Sequence, residues 1–196
     1  MDNYRRSRDR AQAYFLNFDL QSIIEKWNLP VEGDRLTVEF FGREYTICCS
    51  TGMVLRPDGT QAEHNEVLTI FDLLCHEGEK TVNGVFATVN NLKGLPKGAG
   101  VGTDFHTKTA AVFDRDPDAF RNACLALGGQ PVEMGDMGFR FPMFGPLSVI
   151  LKFYHSDEEF PASVTLLWEE NILQFLYYET VFYAAGFLLE SIIKQM

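Results

Sequence analysis

The C-terminal segment EENILQFLYYETVFYAAGFLLESIIKQM (169–196) restricts the possible folds most, because apolar residues would cover most sides of the helix that it predicts. A helix that is hydrophobic on all sides must be buried in a core, an interface or a membrane. A membrane span needs about 20 predominantly apolar residues with few charges. Glu179 and Glu190 interrupt this segment, and its longest unbroken apolar run is 181–189. We therefore expect no membrane span, and a long helix buried in the protein's own core or in a homodimer interface.

Short apolar segments between turn residues predict β-strands in the middle of the chain. LTVEFFGREYTICC (36–49) has the pattern of a hairpin that turns at Phe41-Gly42-Arg43, and STGMVL (50–55) adds a short strand. GVFATVNNL (84–92) alternates as a strand does. FRFPMFGPLSVILKFYH (139–155) predicts two strands split by Pro142 and Gly145-Pro146, and ASVTLLW (162–168) predicts another.

Helical spacing of apolar residues predicts helices at both ends of the chain and between the strands. Residues 3–27 read as helix with a break at Asn17–Asp19, and a second helix starts at His64 and ends by Gly78. DPDAFRNACLALGG (116–129) predicts a helix capped by Asp116 and ended by Gly128-Gly129. With 196 residues and no long linker, the sequence predicts a single α+β domain over 1–196 with a mainly antiparallel sheet.

The charge balance argues against nucleic-acid binding. The net charge is −10 and the isoelectric point about 4.8, so phosphate backbones are repelled unless a basic patch is segregated. The one candidate patch is YRRSRDR (4–10), whose four arginines could share a helix face. We interpret it as a solvated first turn or docking arm, with phosphate binding as the alternative.

Cys48, Cys49, Cys75 and Cys124 show no metal-binding spacing: no CxxC occurs, and no histidine stands in zinc spacing. The sequence therefore predicts no metal site and leaves any cofactor unknown. Reduced, mostly buried thiols and the lack of a secretory signal pattern favour a cytoplasmic location.

Candidate ligand-binding residues lie in two loops and one turn. KGLPKGAGVGT (93–103) combines glycines with Lys93 and Lys97, so its backbone could approach a ligand closely, although a flexible linker has the same composition. Asp136 stands between two glycines just before a strand, where it either forms the turn or accepts a ligand hydrogen bond.

The segment HSDEEFP (155–161) places three consecutive acids, Asp157, Glu158 and Glu159, between two predicted strands. The first interpretation is a strand-connecting turn, in which Asp157 bonds local N–H groups and the charges keep the edge solvated. The second is an acidic edge that recognises a basic partner or ligand. Hard-cation binding with His155 is the third, and consecutive acids suit it poorly.

The order of several motifs resembles family 3786 of the domains of unknown function. The motifs are a leucine-rich helix (68–74), a strand and glycine loop (85–98), LGG (127–129), GD (135–136), paired prolines (141–146), DEEFP (157–161) and a late helix with Glu179. The loop lacks the acid-Leu-Pro-Gly-Gly pattern commoner in the family, and LLWEEN stands where LFD is commoner. The resemblance implies membership of a family of unknown function whose members occur largely in anaerobic bacteria and archaea. Some relatives resemble fusions with iron–sulfur segments, but this chain lacks those cysteines.

These observations favour a non-catalytic module that binds a small molecule or cofactor in anaerobic metabolism, through Lys93, Lys97, Asp136 and the acidic turn. A hydrolase- or transferase-like enzyme is the alternative, with Asp136 or Glu158 and Glu159 as general acid and base. A protein–protein adaptor is the third.

Overall fold

Two antiparallel sheets form the frame of the chain. The computed structural model describes residues 3–77, 81–100 and 106–196. Within these ranges it contains six α-helices and nine strands around a shared hydrophobic core, which confirms the predicted α+β class.

The first sheet has four strands in the order of the chain: β1 (Val31–Glu32), β2 (Arg35–Phe40), β3 (Arg43–Cys48) and β4 (Val54–Leu55). Phe41 and Gly42 make the two-residue turn between β2 and β3, with positive φ angles of 47° and 68°. Turns of this kind match the twist of the paired strands, and a non-glycine residue rarely adopts such an angle. The Phe41 N–H donates to Met143 O at 2.9 Å, which joins this hairpin to the second sheet.

The second sheet has five strands in the spatial order β5-β9-β8-β7-β6. Their bounds are β5 (Phe86–Thr88), β6 (Gln130–Pro131), β7 (Met137–Phe144), β8 (Leu147–Tyr154) and β9 (Ser163–Glu169). The prediction that Pro142 splits a strand is wrong, because β7 continues through it. The register shifts between Pro142 and Phe144, and a proline without an N–H is tolerated at such an irregularity. The predicted strand 84–92 is shorter, since a 3₁₀ turn at Val89–Asn91 follows β5.

The helices are α1 (Asn3–Leu16), α2 (Leu20–Trp27), α3 (His64–Cys75), α4 (Thr107–Arg115), α5 (Pro117–Ala126) and α6 (Tyr178–Gln195). The predicted break at Asn17–Asp19 is confirmed, because α1 ends at Leu16 and α2 begins at Leu20. The Asp19 carboxylate accepts the Gln21 N–H and caps α2. Asp116 likewise caps α5. Helix α4 was not predicted from the sequence, and the last helix starts later than predicted, because a 3₁₀ turn at Ile172–Gln174 precedes α6. Gly78, the predicted end of α3, lies outside the described residues.

Helix α3 packs against both α1 and α6, and these three helices line the cleft described below. Phe15 of α1 stacks on Phe71 of α3, with 4.7 Å between ring centroids. The apolar side of α6 is buried within the chain itself, with Phe187 against Phe40 of β2 at 5.1 Å. The helix therefore does not need a second copy to cover it.

None of the helices in the described ranges is long and apolar enough to cross a membrane.

Two glycine substitutions are expected to change stability in opposite directions. A Cβ on buried Gly129 would lie 2.7 Å from Cys124 O and 2.8 Å from the Phe141 ring, so Gly129→Ala is expected to destabilise the fold by about 1–3 kcal/mol. Gly186 lies inside α6, and its Cβ would have 3.4 Å to its nearest neighbour, so Gly186→Ala is expected to stabilise by about 0.5–1 kcal/mol. Urea unfolding monitored by circular dichroism measures both; equal effects would contradict the packing described around Gly129.

Candidate functional site

The acidic segment is a strand-connecting turn between β8 and β9, as the first interpretation predicted. The Asp157 carboxylate accepts the N–H groups of Glu159 and Phe160, at 2.8 and 2.7 Å, which closes the turn on itself. Glu158 and Glu159 are exposed. One carboxylate oxygen of Asp157 therefore serves to hold the turn together.

Asp136 lies beside this turn, and its carboxylate accepts the His155 N–H at 2.8 Å. His155 Nδ1 lies 2.8 Å from an oxygen of Asp114 on α4, and the Ser156 hydroxyl donates to the other oxygen at 2.6 Å. The hydrogen bonds from Ser156 and His155 hold the pKa of the Asp114 carboxyl below its usual value. This network fastens the turn to α4, a contact that sequence spacing could not show.

Lys93 lies away from the acidic turn. Lys93 forms an ion pair with Glu170, which follows the last residue of β9, whereas the turn precedes the first residue of that strand. Lys97 is exposed, and the end of its loop from residue 101 lies outside the described residues. The structure thus brings Asp136 to the acidic turn but leaves Lys93 at the opposite end of β9. The cavities described below are lined by other residues.

The main cavity is a cleft of about 830 Å³ between α1, the start of α3 and the second half of α6. Its remaining wall comes from the start of β3 and the segment after β4. We call it the arginine cleft, because five basic side chains line it: Arg5, Arg8, Arg43, Arg56 and Lys194.

The floor of the arginine cleft is the buried carboxylate of Glu66, only 2% exposed. Arg56 donates to both of its oxygens, with 2.8 Å between Nε and Oε1. The Tyr45 hydroxyl donates to Oε1 at 2.7 Å, and the Glu63 N–H donates to Oε2 at 2.7 Å. A buried charge is tolerated only when it is paired and hydrogen-bonded in this way.

Burial alone would raise the pKa of the Glu66 carboxyl, but the hydrogen bonds from Arg56, Tyr45 and the Glu63 N–H outweigh it and hold that pKa below its usual value. Burial and the bond to Glu66 raise the pKa of Tyr45, so its hydroxyl stays a donor. The same ion pair raises the pKa of Arg56. The floor is therefore a fixed, charge-balanced network.

Aromatic rings form one side of the arginine cleft. The His64 ring lies edge-on between Tyr4 and Tyr183, with centroid distances of 4.9 and 5.1 Å. The Arg43 guanidinium stacks on Phe187 at 5.3 Å from the ring centroid. The cleft can therefore contact both charged and flat apolar parts of a ligand.

Two smaller cavities offer less. One of about 570 Å³ lies between Trp27 and the turn of the β2–β3 hairpin, and one of about 380 Å³ lies between α1, α3 and α6 beside Tyr14 and Tyr177. Glu179, whose place in an apolar helix drew attention in the sequence, is exposed and lines the second of these.

Within the described ranges, no three His, Cys, Asp or Glu side chains lie close enough together to hold a metal ion. None of the four cysteines forms a disulfide: Cys75 and Cys124 are buried, and Cys48 and Cys49 are half-buried. Burial raises the pKa of Cys124 to about 12, so this thiol stays protonated.

The arginine cleft was not predicted from the sequence. Its clearest signal was YRRSRDR, for which phosphate binding was the alternative interpretation; the structure places Arg5 and Arg8 in the cleft. Glu66 gave a second, weaker signal as a carboxylate inside the apolar stripe of α3.

The comparison with protein families gives one match. The sequence pattern of a domain of unknown function, DUF3786, matches residues 19–191. The chain belongs to the DUF3786 family. The resemblance drawn from the order of motifs is thereby confirmed. The DUF3786 match covers Arg56 and Glu66 on the cleft floor, whereas α1 precedes it. No curated protein and no solved structure matches the chain.

Removing the floor carboxylate is expected to destabilise this DUF3786 protein. Glu66→Gln leaves Arg56 without its buried partner, and we expect a loss of about 2–3 kcal/mol, below the full range for a wholly buried pair because Arg56 is partly exposed. Glu63→Gln is the matched control, since Glu63 contacts the same arginine at 3.5 Å but is largely exposed. It is expected to cost less than about 0.5 kcal/mol in urea unfolding. Equal losses would show that the buried network adds nothing.

The contribution of Glu66 is also expected to depend on pH. Its folded-state pKa lies below the usual value of 4.5, so the stabilisation is present above pH 4.5 and is lost as the pH falls through the folded-state pKa. The difference in unfolding free energy between wild type and Glu66→Gln should therefore be constant above about pH 6 and shrink below pH 4.5. A difference that grows on acidification would contradict the assignment.

Proposed function

We propose that this DUF3786 protein is a non-catalytic module that binds a small molecule in the arginine cleft, in the cytoplasm and in support of anaerobic metabolism. The observation that carries the proposal is the cleft itself: about 830 Å³, built on a buried and fully hydrogen-bonded carboxylate. Ligand sites are typically preformed clefts of roughly 300–1,000 Å³ with a few well-placed polar groups.

The polar groups of the cleft floor serve structure rather than proton transfer. Glu66 is kept as a carboxylate and Tyr45 as a phenol by their mutual contacts, so neither is poised to exchange a proton near neutral pH. This favours binding over catalysis. The acid/base enzyme built on Asp136 and the acidic turn stays a prediction, and Asp136 already holds the His155 N–H.

The remaining parts of the proposal have less support. Free cysteines fit a reducing compartment, and the negative net charge argues against nucleic acid as the ligand. A homodimer through α6 stays a prediction. The apolar side of α6 already packs inside one chain, so its burial does not require a second copy.

A thermal-shift screen of nucleotides, sugar phosphates, carboxylates, amino acids, neutral sugars and polyamines tests the proposal. Compounds that stabilise the wild type should lose at least tenfold in affinity, about 1.4 kcal/mol, when Glu190→Trp fills the mouth of the cleft from the exposed side of α6. Mass spectrometry should recover the bound compound unchanged.

Glu25→Trp on the exposed side of α2 is the matched control, since it lines none of the described cavities. Glu159→Trp tests the acidic turn instead. The proposal is refuted if no compound binds, if Glu159→Trp rather than Glu190→Trp blocks binding, or if the compound is chemically converted.

A further inference from the structure

We infer that the ligand of the arginine cleft is a small molecule carrying two or more negative charges, such as a phosphate ester or a di- or tricarboxylate. This deepens the proposed function and rests on it. The inference depends on which charges in the cleft are already paired and which are not.

The acidic side chains of the cleft are mostly engaged. Glu66 and Glu63 both pair with Arg56, at 2.8 Å from its Nε and 3.5 Å from its Nη2, respectively. Asp58 accepts the N–H and the hydroxyl of Thr60, at 2.9 and 2.6 Å. Only Glu190 has no such partner in the part of the chain that the structure describes.

The basic side chains show the opposite pattern. Arg56 is the cation that is paired. The other four cations of the cleft form no ion pair with any residue that the structure describes: Arg5, Arg8, Arg43 and Lys194. Four unpaired cations therefore face one unpaired acid, in a protein whose net charge is −10. A positive cleft in an acidic protein concentrates anions at that one place.

Arg8 gives the sharpest sign of a missing partner. Its Nε is buried and has no hydrogen-bond acceptor in the described structure. A buried donor without an acceptor costs about 1–3 kcal/mol, and a ligand oxygen at this position would remove that cost. Arg5 stands one turn from Arg8 on the same side of α1, so both can reach one anionic group.

Arginine also fits this class of ligand by its shape. The planar guanidinium donates two parallel hydrogen bonds to a carboxylate or a phosphate, and such charged bonds are about twice as strong as neutral ones. Arg43 is held in place by its stack on Phe187, which leaves the edge of the guanidinium available for this contact. Several cations without partners require more than one negative charge to balance them.

Isothermal titration calorimetry with pyrophosphate, phenyl phosphate and citrate tests the inference. At least one of these anions should bind the wild type, and Arg8→Gln and Arg43→Gln should each weaken that anion at least tenfold. Glu190→Gln should bind it more tightly, by about two- to fivefold, because the one unpaired acid is removed. Arg121→Gln on the exposed side of α5 is the matched control and should leave the affinity unchanged.

The inference is overturned if the Arg8 and Arg43 variants bind the anions as wild type does, or if none of the three binds. If neutral or cationic compounds instead bind in a manner that Glu190→Trp blocks, this inference fails while the proposed function stands. If no compound in either experiment binds, both fail. Tighter binding by Glu190→Gln is a gain that mere destabilisation of the fold would not produce.

Discussion

The buried carboxylate of Glu66 is the interaction on which the rest of the cleft depends. It accepts hydrogen bonds from Tyr45 of β3, from Arg56 after β4 and from the Glu63 N–H just before α3. These bonds join the first sheet to α3. Its charge would be costly to bury alone, and Arg56 offsets that cost. Because Arg56 is used in this way, the surplus of positive charge in the cleft comes from Arg5, Arg8, Arg43 and Lys194.

Much of the fold could be predicted because its signals are local. The cap at Asp116, the break at Asn17–Asp19 and the turn at Phe41-Gly42 each depend on a few neighbouring residues, and all three are confirmed. Pro142 was misread because its effect depends on its place in the sheet. A proline ends a regular strand, yet at a register shift it can remain within one. The last helix was predicted correctly as a long helix, but its start was placed too early. The 3₁₀ turn before it has the same apolar composition, so the sequence pattern did not separate the two.

The site was harder to predict because it joins distant parts of the chain. Arg8, Arg43 and Lys194 lie far apart in the sequence and meet only in the folded chain, where α3 packs against both α1 and α6. Only the spacing of Arg5 and Arg8 could be seen beforehand. Asp136 and Asp157 were conspicuous in the sequence, but their carboxylates accept backbone N–H groups: Asp136 that of His155, and Asp157 those of Glu159 and Phe160. Charged residues that draw attention in a sequence can therefore be structural.

Hydrogen–deuterium exchange with and without saturating pyrophosphate tests the central claim most directly, because it locates the ligand without any substitution. The account predicts slower exchange in α1, at the start of α3 and in the second half of α6, with β7, β8 and the acidic turn unchanged. Arg5 and Arg8 should make α1 respond most, since few of its side chains are buried in the core. Protection centred on residues 155–162, or none in α1, would contradict the account.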